Sequence, residues 1–464
     1  MEINKQAASR ADRTIVEKMR KVQFVLIILF LSFFILTFIG AGNLLVVSVV
    51  GLLLCLTGML ETTTEVDLWI FIPLTLYTVL SLLSGYRTYG STLDGLSTTQ
   101  AIFPVIYLLT ACLNNANRVL LKLLCTVWIG LIAAGGIVQF TIEAFLGTAD
   151  RLSGLLGNPN ATGILLVLGW FAQQSCLIDL HGMQHSRLQS VLNALGFLML
   201  AALALTLSIG AFGALAIGMI AMSIYGKEKA STFFCRAAEV IFAIGSGILL
   251  YIAGDYAGTP WIALLMVFYI LAAAILQNAL RQCLQDFRWL RVLILLVGVS
   301  GAAGLLFLRP NAVATFTERL TMIQHALRYF GREPLLGIGP YQWRRYNLQD
   351  ADPYFNTWHI HNIFVHVGVE LGLPAMGMLI FTAIRHACKR ENKAQRGAFF
   401  AALIHNLMDT SFFYISTVPL LMMTAAKDER KTHTMHAVTV KCIFGAFGIL
   451  FAWMFAWNTM HCLW

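Results

Sequence analysis

Residues 309 to 375 read RPNAVATFTERLTMIQHALRYFGREPLLGIGPYQWRRYNLQDADPYFNTWHIHNIFVHVGVELGLPA, the one long polar excursion in a chain that otherwise alternates membrane-length apolar runs with short connections. The stretch holds six arginines (Arg309, Arg319, Arg328, Arg332, Arg344 and Arg345) and no lysine, and His359 and His361 follow where the next apolar run begins. Arginine offers a planar fork that grips phosphate through two hydrogen bonds and stays charged, whereas lysine is a point charge on a flexible stem. Such a loop suits a planar, anionic, phosphorylated ligand.

Outward from this loop, composition sets the class. The chain is 58% hydrophobic and only 12% charged, where soluble domains carry roughly 25% charged residues. This predicts an all-α polytopic integral membrane protein whose surroundings are membrane lipids, with no nucleic acid as partner. Residues 1–22 form a polar, basic N-terminal tail leading into an apolar run from Phe24 to Ala41. That run has no small-residue cleavage site and is followed by many more, so it reads as a retained helix and not a signal peptide. Counting the apolar runs gives about 12–14 crossings, each near the ~20 residues a bilayer core requires. The expected organisation is a cytoplasmic tail (1–22), transmembrane helices (23–308), one large extracytoplasmic loop with an amphipathic helix (309–360) and C-terminal transmembrane helices (361–464). The nine cysteines are scattered and fit neither a disulfide framework nor a metal site.

Lysine and arginine in short loops mark the cytoplasmic side. Alternate counting from a cytoplasmic N-terminus places inside the loops that carry Arg118, Lys227 with Lys229 and Arg236, Arg281 with Arg288 and Arg291, residues 385–396, and Lys427 with Arg430 and Lys431. The opposite face receives the connections around Arg87, Arg151 and Gly210 and the whole 309–360 loop, and no lysine falls there. Arginines on a face that normally avoids positive charge need a reason, and binding an anion is the natural one. The alternative is pairing with lipid headgroups or with Asp350 and Asp352.

Thr315 and Glu318 have the spacing of a capping box, which predicts a helix starting near Phe316. Leu320, Ile323, Leu327 and Phe330 supply its apolar face. Arg319 and Arg328 then lie about 180° apart, and Arg319 is the one expected to meet a ligand. Gly337-Ile338-Gly339-Pro340 reads as a turn. His361-Asn362 opens the next helix, with Gly368 and Gly372 along the face of His361 and with His366 and Glu370 elsewhere. His359 and His361 could hold a metal, but no third ligand follows at suitable spacing, and none is expected. His405 and Asp409 lie four residues apart inside an apolar run. Ionisable residues there are functional candidates by default. With Glu143 they also support a rival class, a proton-coupled transporter or lipid flippase.

The segment HNIFVHVGVELGLPA (361–375), preceded by RLTMIQHALRYFGREPLLGIGP (319–340), resembles the signature region of the O-antigen ligase and O-antigen polymerase family, where a His-Asn pair is followed after nine residues by a glycine, here Gly372. RLSGLLGNPNATG (151–163) and LMDTSFF (407–413) resemble the family's upstream outer loop and late helix. The resemblance implies a cofactor-free, metal-independent, inverting glycosyltransferase of the bacterial inner membrane, which takes a glycan from undecaprenyl diphosphate on the periplasmic side. The acceptor is lipid A-core in a ligase and another lipid-linked repeat unit in a polymerase. By resemblance, Arg319 binds the diphosphate and His361 is the base for the acceptor hydroxyl or otherwise orders the site. Arg151 and Asn160 support it, with Arg344, Arg345, Asn362 and Gly372 as further substrate-binding residues. One departure stands out: many family members place an arginine after the serine of TLSIGAFGAL (206–215), and here Ile209 follows Ser208. Arg151, Arg344 or Arg345 is expected to substitute for it.

Overall fold

A computed structural model describes residues 23–39, 43–60, 64–90, 98–180, 186–255, 260–309, 311–350, 355–388, 392–425 and 432–462. The tail 1–22, Asp352, Lys427, Arg430 and Lys431 lie outside the described residues. The apolar runs fold as helices because only a helix satisfies every backbone hydrogen bond within one segment away from water. In chain order they are α1 (Gln23–Leu36), then α2 (Leu44–Gly58), α3 (Leu68–Tyr89), α4 (Ile102–Ala111), α5 (Asn115–Phe145), α6 (Pro159–Asp179), α7 (Ser186–Leu205), α8 (Ile209–Gly226) and α9 (Ala230–Asp255). There follow α10 (Pro260–Ile275), α11 (Gln277–Asp286), α12 (Arg288–Leu308), α13 (Ala312–Phe330), α14 (Gln342–Gln349), α15 (Ile363–Ala387), α16 (Lys393–Met408), α17 (Thr417–Thr424) and α18 (Ala437–Cys462). One antiparallel ribbon interrupts the helices, with β1 (Thr64–Val66) paired to β2 (His433–Met435).

Among the described residues eight helices are long and apolar enough to cross a membrane, and α10 with α11, bent by 68°, makes a ninth if the pair is one span. Several apolar runs counted from the sequence fold as shorter pieces: α2 has 15 residues, α4 has 10, and the apolar stretch that begins near 397 is divided between α16 with 16 and α17 with 8. Large apolar side chains on the outer helices, such as Ile72, Ile224, Ile275 and Ile449, point away from the protein. That outward face is what a lipid-facing surface requires. α6 is the most enclosed of the eight and packs against α5, α7, α8 and α16.

The helices α3, α5, α6, α8, α15 and α16 run between two ends of different charge. One end carries Lys122 paired with Asp179, Arg385 with Asp67 at 2.9 Å, and Glu228 held by Arg236 at 2.7 Å and by Lys393 at 2.5 Å. The other end holds Arg87 against Glu333 at 2.6 Å and gathers the connections 147–158, 206–208, 331–341 and 355–362 together with Arg309.

Two expectations for the polar excursion change. Helix α13 begins at Ala312 with Asn311 as an unbonded cap, so the Thr315/Glu318 capping box is not used, and the Thr315 hydroxyl instead donates to the Asn311 carbonyl. Its buried face is Met322, His325, Ala326 and Tyr329, whereas Leu320 and Leu327 are exposed. The aromatic cluster of Trp343, Tyr329 and Phe355 takes up this face, so the segment folds on itself through rings that the aliphatic spacing did not show. Gly368 and Gly372 do not share one unbroken helical face with His361. Gly372 breaks α15 at φ +87°, and a Cβ there would stand 2.2 Å from the Leu335 carbonyl oxygen. The chain 334–340 docks into that break, with Ile338 N–H donating to Val369 O, Gly339 N–H to Glu370 O and Leu373 N–H to Pro334 O. Gly368 faces Phe330.

Candidate functional site: guanidiniums gathered around Asp409

Three connections build the site. Asn158 caps α6 by accepting from the backbone N–H groups of Asn160 and Ala161, with Pro159 at the first helical position, where its missing N–H is not needed. This aims the Asn160 side chain outward, and its Oδ1 accepts from Arg151 at 3.2 Å and from the Ser208 hydroxyl at 3.0 Å. Arg151 Nε donates to the Thr206 carbonyl at 2.9 Å. Leu207 sits in the left-handed region at φ +45°, and its carbonyl accepts from Arg309 at 3.3 Å. Two guanidiniums therefore lie on the 206–208 turn. Arg151 was an expected substitute beside Ser208; Arg309, arriving from the end of α12, was not.

The second part is the broken end of α16. Arg319 donates to the Met408 carbonyl at 2.5 Å and to Asp409 Oδ2 at 3.2 Å, and both charged side chains are largely buried. Asn362 caps α15 by accepting from Phe364 and Val365 N–H, and its amide donates to the Leu407 carbonyl at 3.1 Å. The last carbonyls of α16 are thus held from two sides, by Asn362 and by Arg319. His361 Nδ1 stands 3.6 Å from Asp409 Oδ1, near enough for attraction and beyond hydrogen-bond length. His405 packs its Nδ1 against the Ser411 hydroxyl at 3.0 Å, and its ring lies 3.7 Å from the Cβ position of Gly210 at the start of α8.

Charge around this point is unbalanced. Burial lowers the pKa of Arg151, and the neighbouring Arg309 lowers it further; burial and then Arg319 do the same to Arg309. Against these three cations stands Asp409, with Asp150 offsetting Arg151 alone. Arg319 Nε, His361 Nδ1 and His405 Nε2 are buried polar atoms with no hydrogen-bond partner among the described residues. Buried polar groups are normally satisfied, and these three atoms belong to residues that interact with Asp409.

The remaining candidates lie elsewhere. Arg344 bonds Asn356 at 2.9 and 2.6 Å and lies over the Trp358 ring, and Arg345 is exposed on α14. Arg332 faces Asp350 at 3.5 Å, which is the pairing anticipated as the alternative to anion binding. His359 stacks on Phe413 with centroids 4.2 Å apart and approaches His366 at 3.5 Å, while His366 contacts Glu370 at 3.3 Å. Glu370 accepts from the backbone N–H groups of Tyr341 and Trp343. This second polar group ties the polar excursion to α15 and is separate in its bonding from the Asp409 cluster. No protein-family model matches this chain, and neither does any curated protein. What the cluster does therefore rests on its own geometry.

Proposed function

We propose that the chain is an O-antigen ligase-like membrane glycosyltransferase that takes a glycan from undecaprenyl diphosphate and passes it to an acceptor hydroxyl, lipid A-core in a ligase. The observation that supports this most is the set Arg151, Arg309 and Arg319, three guanidiniums close enough to repel one another at the end of apolar helices, with Asp409 paired to Arg319 and Asp150 offsetting Arg151. A diphosphate would relieve that repulsion and satisfy Arg319 Nε. An apolar groove of about 140 Å³, bordered by Ile363, Phe364, Phe412 and Leu421, begins beside the site and runs between α15, α16 and α17. An isoprenoid tail fits such a groove by its chemistry.

In this reading the acceptor oxygen attacks the anomeric carbon from the face opposite the diphosphate. His361 takes the acceptor proton at Nε2, with Asp409 beside Nδ1 stabilising the imidazolium that forms. The bond from the anomeric carbon to the diphosphate oxygen breaks with its electron pair on the oxygen, and the guanidiniums hold the developing charge. In this reading the lysine-free end faces the periplasm and the Lys393 end the cytoplasm, which the charge asymmetry supports. Arg309 on the Leu207 carbonyl supplies the guanidinium that the family carries after the serine. His405 and Asp409 serve this site and not a proton path at mid-membrane, which is the distinction from a transporter.

The test is transfer from purified lipid-linked donor. Arg319→Lys keeps charge but loses the fork, so it should lose roughly 10- to 150-fold, nearly as much as Arg319→Ala. Arg328→Lys, exposed on α13, should keep near-normal transfer. An active Arg319→Lys enzyme would sink the phosphate assignment, and accumulation of substrate across the membrane without transfer would favour a transporter. Deletion that leaves core without any ladder and accumulates polymer indicates a ligase; core bearing single units indicates a polymerase.

A further inference from the structure

A second basic site lies at the opposite end of the same helices. Three helices connect the two: α8 runs from Ser208 to Lys227, α16 from Asp409 back to Lys393, and α12 from Arg309 back to Arg288. At 1.5 Å per residue these are about 24–31 Å long, close to the ~30 Å of a bilayer core. A cavity of about 780 Å³ opens there, walled by α6, α8, α9, α11, α12 and α16, and Arg236, Arg281, Arg288, Arg291 and Lys393 line it together with Glu239.

The cations are of two kinds. Glu228, nearly buried, grips Arg236 through two hydrogen bonds at 2.7 and 2.8 Å and also takes Lys393 at 2.5 Å. Glu239 grips Arg281 through two bonds of 2.9 Å each. These pairs set the walls of the cavity. Arg288 and Arg291, three residues apart and so on one face of α12, line it with no carboxylate partner among the described residues. Five cations thus converge against two carboxylates in a space far larger than a water molecule. Arg288, exposed at the cavity mouth, and Arg291, half-buried, are left to present their forks to the cavity, and the chemistry that matches two forks is a bidentate anion with more than one charge.

We infer that this cavity binds a phosphate-bearing dianion, gripped by Arg288 and Arg291 and positioned by the ion-paired Arg281 and Arg236. The source is a lipid headgroup or a soluble phosphate compound, and the experiment separates them. The inference does not depend on the glycan-transfer reading, since it uses none of the residues of the first site.

Full-length protein carrying Arg151→Gln and Arg309→Gln, which weakens the first site toward anions and leaves the Arg319–Asp409 pair intact, is placed in neutral phosphatidylcholine nanodiscs and titrated with radiolabelled pyrophosphate. In parallel, retention of phosphatidylglycerol against phosphatidylcholine through purification in neutral detergent is read by native mass spectrometry. Each measurement is repeated after adding Arg288→Gln and Arg291→Gln. Pyrophosphate binding that weakens at least about tenfold in the added pair assigns a soluble ligand. Preferential retention of phosphatidylglycerol that the added pair abolishes assigns a headgroup. Neither binding, or binding that the added pair leaves unchanged, overturns the inference. Among the described residues neither arginine makes an ion pair, so the unfolding midpoint without ligand should not move; if it does, Arg291→Lys, which keeps the charge and loses the fork, must still weaken binding.

Discussion

Removing the carboxylate of Asp409 should uncover how the site is held together. Arg319 and Asp409 meet at 3.2 Å with side chains 14% and 7% exposed, so water screens the pair little. Breaking a buried pair by deleting one partner costs about 3–5 kcal/mol, because the survivor is left charged and unpaired. Each partner here keeps something: Arg319 retains the Met408 carbonyl, and Asp409 retains the Thr410 N–H at 2.8 Å. The lower end, about 3 kcal/mol, is therefore expected for Asp409→Asn and for Arg319→Ala alone. The double variant leaves no uncompensated charge between them, and a coupling of about 1–3 kcal/mol should appear as a cost smaller than the sum. Denaturant unfolding of detergent-purified protein, followed by intrinsic fluorescence, measures the four corners of the cycle. Costs that add within about 0.5 kcal/mol would show that the pair carries no mutual energy, and the reasoning that Asp409 anchors Arg319 would fail.

Three further outcomes are expected. Gly372→Ala should reduce the yield of folded protein, since the φ of +87° and the 2.2 Å approach to Leu335 O leave no room; the backbone conformation alone costs about 1–3 kcal/mol, while Gly377→Ala, with nothing within 4 Å of its Cβ position, should be silent by size-exclusion profile. Burial lowers the pKa of His359 well below the usual imidazole value, with His366 and His361 adding to it. The unfolded chain then binds the extra proton first, so stability is full above pH ~6.5 and falls below it by up to roughly 1.4 kcal/mol per pH unit; His359→Phe, which keeps the stack on Phe413, should flatten a thermal-unfolding profile between pH 7 and 5. For sidedness, exposed Cys388 at the Lys393 end should resist a membrane-impermeant maleimide in intact cells while Gln349→Cys reacts, and the reverse pattern would invert the orientation.

The fold class was readable because apolar runs of bilayer length leave the chain one choice, but the number of full crossings was not. A run such as 397–426 is continuous in composition, yet it breaks at Asp409, where Arg319 from ninety residues earlier takes the helix-end carbonyl of Met408. Nothing within the run announces that distant partner. The candidate site was legible in part: the His405/Asp409 pair stood out as ionisable residues inside an apolar run and Arg319 by its place in an arginine-rich loop, while the roles of Arg151 and His361 came by resemblance. Arg309 was counted among the six and not chosen, because its role depends on a left-handed Leu207 one hundred residues away. The face of α13 was misread in part since its core is largely aromatic and polar, with His325 bonded to Asn347 at 2.9 Å; Ile323 and Phe330 pack against that core while Leu320 and Leu327 are exposed.

The same distinction explains why arginine, and not lysine, fills the 309–345 stretch. Of its six arginines, Arg332 and Arg344 are engaged with Asp350, Asn356 and Trp358, and Arg328 and Arg345 are exposed. Only Arg309 and Arg319 turn inward, and each binds a backbone carbonyl with one face of its fork. A guanidinium has five donors, so it can anchor itself to the protein and still present N–H groups to a ligand. An ammonium anchored through the same carbonyl has no such rigid second edge. On the proposed reading the residue type follows from a dual task, fixation and presentation, in which the connections 206–208 and 408–409 offer their carbonyls at the ends of α7 and α16.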